Sequence, residues 1–309
     1  ASVGGGIPVL RPIAQCLAAN EITEISGILN GTTNYILNKM IVDNMDFNAA
    51  LELAQKKGFA EKNPAADIEG HDACRKICIL AALAFGKHVY PEQVLTDGIS
   101  DITLDDVESA DSFGCVIKLI GHAKKLENGK ITATVRPTLV SRESILSDVN
   151  GVFNAIMVNG DQTGDVMFYG KGAGKQATAS AVAADIIDCA KQALENDIPV
   201  VLGNDVGCPW VSQYDFWREL YYFHKYIGVS NRFALYTATS LASKYAGLED
   251  VTGSIDVGKE ADMIVVSENP LDDLKALRHV EKVFTRGKLI DHPKVKINKI
   301  VETELDKYL

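Results

Sequence analysis

The 309-residue sequence is poor in several features that mark specialised classes of protein. Its 31 basic residues face 41 acidic ones, a net charge of −10, so the sequence argues against a broad surface for nucleic acid or anionic lipid. Apolar runs stay well below the roughly 18 residues of a membrane span. The first residues, ASVGGGIPVL, lack the features of a signal peptide. We therefore expect a cytoplasmic protein without nucleic-acid or membrane partners.

Patterns typical of metal binding are also scarce. The six cysteines include no CxxC pair, and Cys74 and Cys78 share a helix face without further ligands nearby, so we expect reduced thiols. No two of the six histidines form a His-x-His pair, the pattern that is typical of hydrolytic zinc sites. The sequence therefore argues against bound zinc.

The aromatic residues are unevenly distributed and indicate two different cores. Residues 1–190 hold 9 aromatics and no tryptophan, whereas residues 191–309 hold 13, including both tryptophans. The length suffices for two cores of ordinary size. We therefore expect one domain over residues 1–190 and a second segment over residues 191–309.

Periodicity predicts an α/β (α+β) protein. Four segments of the first part read as strands: EITEISGIL, ITATVRPTLV, GVFNAIMVNG and GDVMFYG, with Asn159-Gly160 as the hairpin turn between the last two. Helical spacing and end signals predict helices over residues 33–42, 47–57, 72–85 and 177–195. The second part predicts a strand IPVVLG, helices over residues 212–228 and 231–246, and two late strands, ADMIVV and VEKVFTRGKLI.

The densest polar cluster of the first part surrounds the start of a predicted helix. It comprises Glu61, Asp67, Glu69, Asp72 and Lys76. Asp72 and Lys76, four residues apart, could form an ordinary surface ion pair. The alternative is carbonyl chemistry, in which the lysine exchanges a proton with a substrate oxygen and a carboxylate such as Glu61 holds a substrate ammonium. Periodicity does not distinguish these two interpretations.

Four segments, in order and spacing, resemble homoserine dehydrogenase: ASVGGGIPVLRPI, SGILNGTTNYIL, GFAEKNPAADIEGHDACRKICILAALAFG and VMFYGKGAGKQATASAVAADIID. The resemblance covers residues 1–190 and implies a mixed sheet with helices, a small amino-acid substrate, NAD(P) and a homodimer. It implies interconversion of aspartate 4-semialdehyde and homoserine, in threonine and methionine biosynthesis.

Residue roles follow from the same resemblance. Lys76 is similar to a catalytic lysine and Asp72 to its acidic companion. Substrate-binding residues are implied at Glu61, Gly31, Thr32 and Asp67. The resemblance also implies that Gly172 and Gly174 lie near the cofactor and that Val3 and Gly5 are similar to carbonyl donors of a monovalent-cation site. Phe59 and Asn63 depart from the family's usual aromatic hydroxyl and aspartate.

The sequence contains no strand–GxGxxG–helix pattern, which a dinucleotide pyrophosphate requires. GKGAGK at residues 170–175 also fails the phosphate-loop pattern. We therefore expect that the main NAD(P) site is absent and that the homoserine dehydrogenase-like part is inactive alone.

The second part resembles the C-terminal end of a metal-dependent amidohydrolase. The segments are VVLGNDVGCPWVSQYDFWREL and TGSIDVGKEADMIVVSENPLDDLKALRHVEKVFTRGKLI, within residues 191–309. The resemblance implies an incomplete (β/α)8 barrel end with two terminal strands, and it makes Asp205 similar to a metal-binding aspartate. The other metal ligands are not evident in the sequence.

The two resemblances meet near Ala190, inside a predicted helix rather than a linker. We therefore expect a hybrid chain. Three functions stay open: a homoserine dehydrogenase-like substrate domain, a metal-dependent amidohydrolase lacking most ligands, and a non-catalytic dimerising module.

Overall fold

A computed structural model describes residues 2–203, 210–212 and 214–309. The chain divides into two compact units, Ala1–Asp185 and Ile186–Leu309. The mixed α/β class expected from the sequence is confirmed, because a mixed sheet and helices build the structure.

The first unit is organised around a six-stranded sheet. Its strands are β1 (Ile22–Ile28), β2 (Leu95–Thr96), β3 (Cys115–Lys125), β4 (Ile131–Ser141), β5 (Phe153–Gly160) and β6 (Gly164–Lys171). Their order is β2-β4-β3-β1-β5-β6, and only the short β2–β4 pair is parallel. All four strands predicted for this unit are present, as β1, β4, β5 and β6. The long central strand β3 was not predicted.

Helices cover one face of this sheet. They are α1 (Gly31–Asp43), α2 (Phe47–Lys56), α3 (Ala65–Ile68), α4 (His71–Phe85) and α5 (Leu104–Ser112), and α6 (Lys175–Glu195) follows the last strand. Ala73, Ile77 and Leu80 of α4 are buried at helical spacing, as predicted. Asp46 caps α2, since its side chain accepts a hydrogen bond from the Ala49 N–H.

The β5–β6 hairpin differs from its prediction in the position of the turn. Asn159 pairs with Asp165 and Gly160 pairs with Gly164, so residues 161–163 form the loop. The Asn159 Nδ2 donates to the Asp165 Oδ1 at 2.7 Å, and this bond keeps Asn159 within the strand. The prediction of an Asn159-Gly160 turn was therefore wrong.

The second unit contains four helices and a small sheet among the described residues. The helices are α7 (Phe216–Tyr222), continued by a π-helical turn (Phe223–Ile227), α8 (Asn231–Ala238), α9 (Ser240–Tyr245) and α10 (Lys299–Leu305). The strands β7 (Met263–Val266), β8 (Val280–Thr285) and β9 (Lys288–Asp291) form an antiparallel sheet in that order.

Three predictions for this unit were wrong. IPVVLG forms no strand, because no described strand pairs with residues 198–203 and Val200 and Leu202 pack on an apolar cluster instead. The two terminal strands expected from the sequence are present, but the second is divided, so that three antiparallel strands form. VEKVFTRGKLI bends into β8 and β9 because Arg286 and Gly287 both take positive φ, +49° and +76°, as in a tight hairpin turn.

The third error concerns the helix predicted over residues 231–246. It is interrupted at Thr239, whose backbone is non-helical (φ −123°, ψ −95°). The Thr239 Oγ1 donates to the Leu235 carbonyl at 2.6 Å, and such back-bonding bends helices. No helix in the described part of the chain has both the length and the apolar character needed to cross a bilayer.

A buried lysine holds the loop that precedes β5. Lys118 of β3 is 1% exposed, and its Nζ donates to the Val149 carbonyl at 2.6 Å and to Asn150 Oδ1 at 3.2 Å. It also donates to Asn34 Oδ1 at 3.3 Å, while the Asn34 Nδ2 donates to the carbonyls of Val149, Gly151 and Phe153. This clamp fixes residues 149–153 against the N-terminal half of α1. Burial lowers the pKa of Lys118 to about 8, with Asp148 opposing the shift.

This lowered pKa predicts that stability rises with pH. The native state releases the Lys118 proton near pH 8, whereas the unfolded chain keeps it until near the ordinary lysine value of 10.5. The unfolded chain therefore binds more protons between these values, and the free energy of unfolding should rise by about 2 kcal/mol between about pH 7.5 and about pH 9.5. Lys118→Met should remove this part of the slope.

Urea unfolding followed by circular dichroism measures the slope. Tryptophan fluorescence identifies the transition of residues 186–309, because both tryptophans, Trp210 and Trp217, lie there. Lys124→Met is the matched control, since Lys124 lies on the same strand with a half-exposed side chain paired to Glu24. Equal slopes for the wild type and Lys118→Met would contradict the account.

Candidate functional site

The site is built around Asn30, which connects the end of β1 to the start of α1. Asn30 is buried and caps α1, because its Oδ1 accepts a hydrogen bond from the Thr33 N–H at 2.9 Å. Its Nδ2 donates to Asp67 Oδ1 at 2.7 Å and to Asp72 Oδ2 at 2.8 Å. One amide therefore joins α1, α3 and α4.

Lys76 lies beside this network. Its Nζ donates to Asp72 Oδ2 at 2.6 Å and to the Leu29 carbonyl at 3.0 Å, and its side chain is 19% exposed. Asp72 Oδ2 thus accepts from both Asn30 and Lys76. An ammonium carries three N–H donors, so one is left to point at a ligand. Asp72 and Lys76 therefore form more than the surface ion pair that their spacing allows, since Asn30 and the Leu29 carbonyl also bind them.

Thr32 and Glu61 lie on the adjoining side of the α1 N-terminus. The Thr32 Oγ1 donates to the Phe59 carbonyl at 2.7 Å, which fixes the loop after α2 against the first turn of α1. The Phe59 ring packs edge-on to Tyr35, with ring centroids 5.0 Å apart. Glu61 follows two residues later and is exposed, so its carboxylate is accessible to a ligand.

A set of close backbone approaches brings further predicted positions together. A Cβ on Gly31 would lie 2.8 Å from the Val152 carbonyl oxygen, and one on Gly172 would lie 2.3 Å from the amide carbon of Asn154. A Cβ on Gly5 would lie 2.1 Å from the Gly172 carbonyl oxygen. Glycine is therefore required where the start of α1, β5, the GKGAGK turn and the N-terminal segment meet. Gly174 has open space around it.

The positions predicted to bind metal differ in what the structure shows. Val3 is 1% exposed, and the N–H of Gly6 donates to the Lys171 carbonyl at 3.1 Å, so the Val3–Gly5 segment lies against the GKGAGK turn. Asp205 lies outside the described residues. Within residues 2–203, 210–212 and 214–309, no three His, Cys, Asp or Glu side chains form a group able to hold a metal.

Two asparagines of this region were missed at the sequence level. Asn30 directly precedes α1 and lies three residues before Thr33. An asparagine at this position is a recognisable N-cap signal. Asn154 carries no local signal, because its position depends on a strand pairing and on glycines far away in the sequence.

Comparison with known sequences identifies the first part of the chain. The profile of the Homoserine dehydrogenase family matches residues 8–187, more than half of the chain. The Synechocystis homoserine dehydrogenase is 47% identical over 192 residues, covering 61% of this chain and 44% of that protein. The Helicobacter pylori enzyme is 48% identical over 192 residues, covering 62% and 45%. The chain thus spans less than half the length of these curated relatives.

Solved structures agree with this comparison. A homoserine dehydrogenase from Thiobacillus denitrificans aligns with a TM-score of 0.59 at 44% identity, covering 60% of this chain and 43% of that one. A hyperthermophilic archaeal homoserine dehydrogenase in complex with NADPH aligns with a TM-score of 0.53 at 28% identity, covering 62% and 54%.

A second profile, that of the Amidohydrolase family, matches residues 115–290 and overlaps the first. In the overlap, strands β3 to β6 lie within the six-stranded sheet of the first unit. The chain therefore belongs to the homoserine dehydrogenase family, and it also carries an Amidohydrolase-family match over residues 115–290.

Proposed function

We propose that the first unit binds homoserine or aspartate 4-semialdehyde as the substrate part of a homoserine dehydrogenase. The observation that carries the proposal is the position of Lys76, whose ammonium is held by Asp72 and the Leu29 carbonyl with one N–H left over. Family membership supports the choice of substrate.

The arrangement suits proton transfer at a carbonyl oxygen. When a hydride adds to the aldehyde carbon of the semialdehyde, the oxygen becomes an alkoxide and needs a proton. An ammonium hydrogen-bonded to that oxygen supplies it, and in the reverse direction the neutral amine accepts the hydroxyl proton. Asp72 keeps the lysine in place, while Asn30 holds Asp72 from the other side.

Other residues of the cluster fit the amino-acid end of the substrate. The exposed carboxylate of Glu61 can pair with the α-ammonium, and Gly31 and Thr32 present the N-terminus of the 13-residue helix α1, which favours a carboxylate. Asp67 is bound to Asn30 and thus ties α3 to the cluster.

The described residues fit only part of a nicotinamide dinucleotide site. A nucleotide fold needs parallel strands with crossover helices, whereas the only parallel pair among the described strands is the two-residue β2–β4 contact. Gly172 and Gly174 would contact the cofactor from the GKGAGK turn, where the space around Gly174 permits close approach. NAD(P) accepts or supplies the hydride when bound. We propose that hydride transfer needs a nucleotide-binding region that the described residues do not form.

The Amidohydrolase-family match favours hydrolysis of amide bonds as a second function. Asp205 would be its metal-binding residue, and zinc content after purification would test it. The first function has the stronger support, because Asp67, Asp72 and Lys76 are linked by hydrogen bonds through Asn30 and Asp72. We further propose that the chain is a hybrid with its join inside α6, which runs continuously from Lys175 to Glu195.

Binding of L-homoserine to the full chain tests the leading function. Isothermal titration calorimetry should detect binding to the wild type, and Lys76→Met and Glu61→Gln should each weaken it about tenfold or more, because each removes a charged hydrogen-bond partner. Lys39→Met is the matched control, since Lys39 forms an i,i+4 pair with Asp43 at the same 2.6 Å distance but lies on α1 away from the cluster. Absence of binding to the folded wild type would refute the proposal.

We also propose that the chain forms a homodimer through the face of β5 and β6 that carries Phe153 and Tyr169. On this face of β5 and β6, Phe153 and Tyr169 stack with ring centroids 5.1 Å apart, and Met157 pairs directly with Met167. Tyr169 is 52% exposed, and β6 is an edge strand. Phe153, Met157 and Met167 are half-buried beside it, and a partly exposed apolar strip of this kind is typical of a protein–protein interface.

Sedimentation of the full chain tests this assembly. The wild type should sediment at twice its 33.4 kDa monomer mass, and Tyr169→Lys should shift the mass toward the monomer, because it places a charge in an apolar contact. Tyr90→Lys, at a similarly exposed tyrosine away from this face, should leave the dimer intact. A monomeric wild type, or a dimer unaffected by Tyr169→Lys, would contradict the proposal.

A further inference from the structure

Asn154 is a buried side chain with an unused hydrogen-bond acceptor. The residue is 1% exposed, and its Oδ1 has no partner among the described residues. Leaving a buried polar atom unsatisfied costs about 1–3 kcal/mol, so packing alone does not explain an asparagine here.

Other asparagines of the same unit show that satisfied environments are available nearby. The buried Asn34 donates to three backbone carbonyls and accepts from Lys118. Asn159, on the same strand as Asn154, donates to Asp165 and accepts from Thr23. Among the described asparagines of the first unit, the buried open acceptor is therefore particular to position 154.

The surroundings of Asn154 connect it to the candidate site. A Cβ on Gly31 would lie 3.5 Å from the Asn154 Oδ1, and Gly31 follows directly after Asn30, which holds Asp67 and Asp72. On the other side, a Cβ on Gly172 would lie 2.3–2.5 Å from the amide atoms. Asn154 thus fills the gap between the N-terminus of α1 and the GKGAGK turn.

We propose that Asn154 is a further substrate-binding residue, whose Oδ1 accepts a hydrogen bond from an N–H or O–H donor of the bound amino acid. This inference rests on the proposed function, since it assigns a new residue to the same site. Homoserine carries both kinds of donor, an α-ammonium and a terminal hydroxyl, and a neutral amide oxygen accepts from either.

The turn that covers Asn154 is exposed on its outer side. Gly172 lies over the amide, and Gly174 takes a φ of +120° that L side chains rarely adopt. Ala173, Gly174 and Lys175 are exposed, whereas Gly172 packs on Gly5 and Asn154. Binding then exchanges the contact with Gly172 for a hydrogen bond from the ligand.

The test replaces the amide by an apolar group of similar size. Asn154→Leu removes the acceptor while filling the space, so the unliganded variant should melt at or above the wild-type temperature. Its Kd for L-homoserine, measured by calorimetry on the full chain, should rise about tenfold. Asn159→Leu, on the same strand but facing away from the site, should leave the Kd unchanged. Asn154→Ala serves as the second variant if the leucine prevents folding.

Two analogues identify the donor. 2-Aminobutyrate keeps the ammonium and lacks the hydroxyl, whereas 4-hydroxybutyrate keeps the hydroxyl and lacks the ammonium. The analogue that lacks the donor bound by Asn154 should bind the wild type and Asn154→Leu equally, and the other should lose affinity.

The outcomes separate this inference from the proposed function. Homoserine binding to the wild type with an unchanged Kd in the folded Asn154 variants overturns the role of Asn154 alone. Absence of homoserine binding to the wild type overturns both. A tenfold loss without a loss of melting temperature supports the inference, because a purely structural asparagine would not separate the two quantities.

Discussion

The site depends on the amide of Asn30 more than on any other interaction. Its oxygen caps α1, and its two N–H groups bind Asp67 and Asp72. A single neutral side chain therefore sets the start of one helix and the positions of two carboxylates on two others. Asp72 in turn fixes Lys76, whose remaining donor is the chemical basis of the proposed function. Because each bond restrains the next, the geometry of Lys76 follows from the end of β1.

A second constraint is the close approach of backbone segments around Asn154. Gly5, Gly31 and Gly172 lie where any side chain would collide with neighbouring backbone or with the asparagine. Loops that are distant in sequence are thereby brought within contact of one another. Lys118 and Asn34 support this arrangement from behind, since they hold residues 149–153 against α1. Burying the Lys118 ammonium is unfavourable, but the hydrogen bonds that it makes hold the loop beside the site in place.

Much of the first unit could be predicted from local patterns. The apolar spacing of Ala73, Ile77 and Leu80 identified α4, and Asp46 marked the start of α2. The catalytic candidates came from family resemblance, because Asp72 and Lys76 alone fit a surface ion pair equally well. Their tie to Leu29 and Asn30 depends on tertiary contacts that spacing does not encode.

The incorrect predictions of secondary structure have the same cause, which is dependence on contacts that local spacing does not encode. IPVVLG has the composition of a buried strand, yet a strand exists only where a partner is available. The Arg286-Gly287 turn and the break at Thr239 depend on one backbone angle and one hydroxyl contact, which average propensities do not register. Asn154 could not be identified from the sequence for a further reason. It stands out because its buried Oδ1 lacks a hydrogen-bond partner, and only the structure shows this.

The central claim is that the cluster of Asn30, Asp67, Asp72 and Lys76 forms an amino-acid site. A crystal structure of the full chain with L-homoserine tests it most directly. The account predicts electron density for the ligand beside the N-terminus of α1, with an oxygen within hydrogen-bond distance of the Lys76 Nζ. Density for the ligand at another place, with Lys76 still bound only to Asp72 and the Leu29 carbonyl, would contradict it.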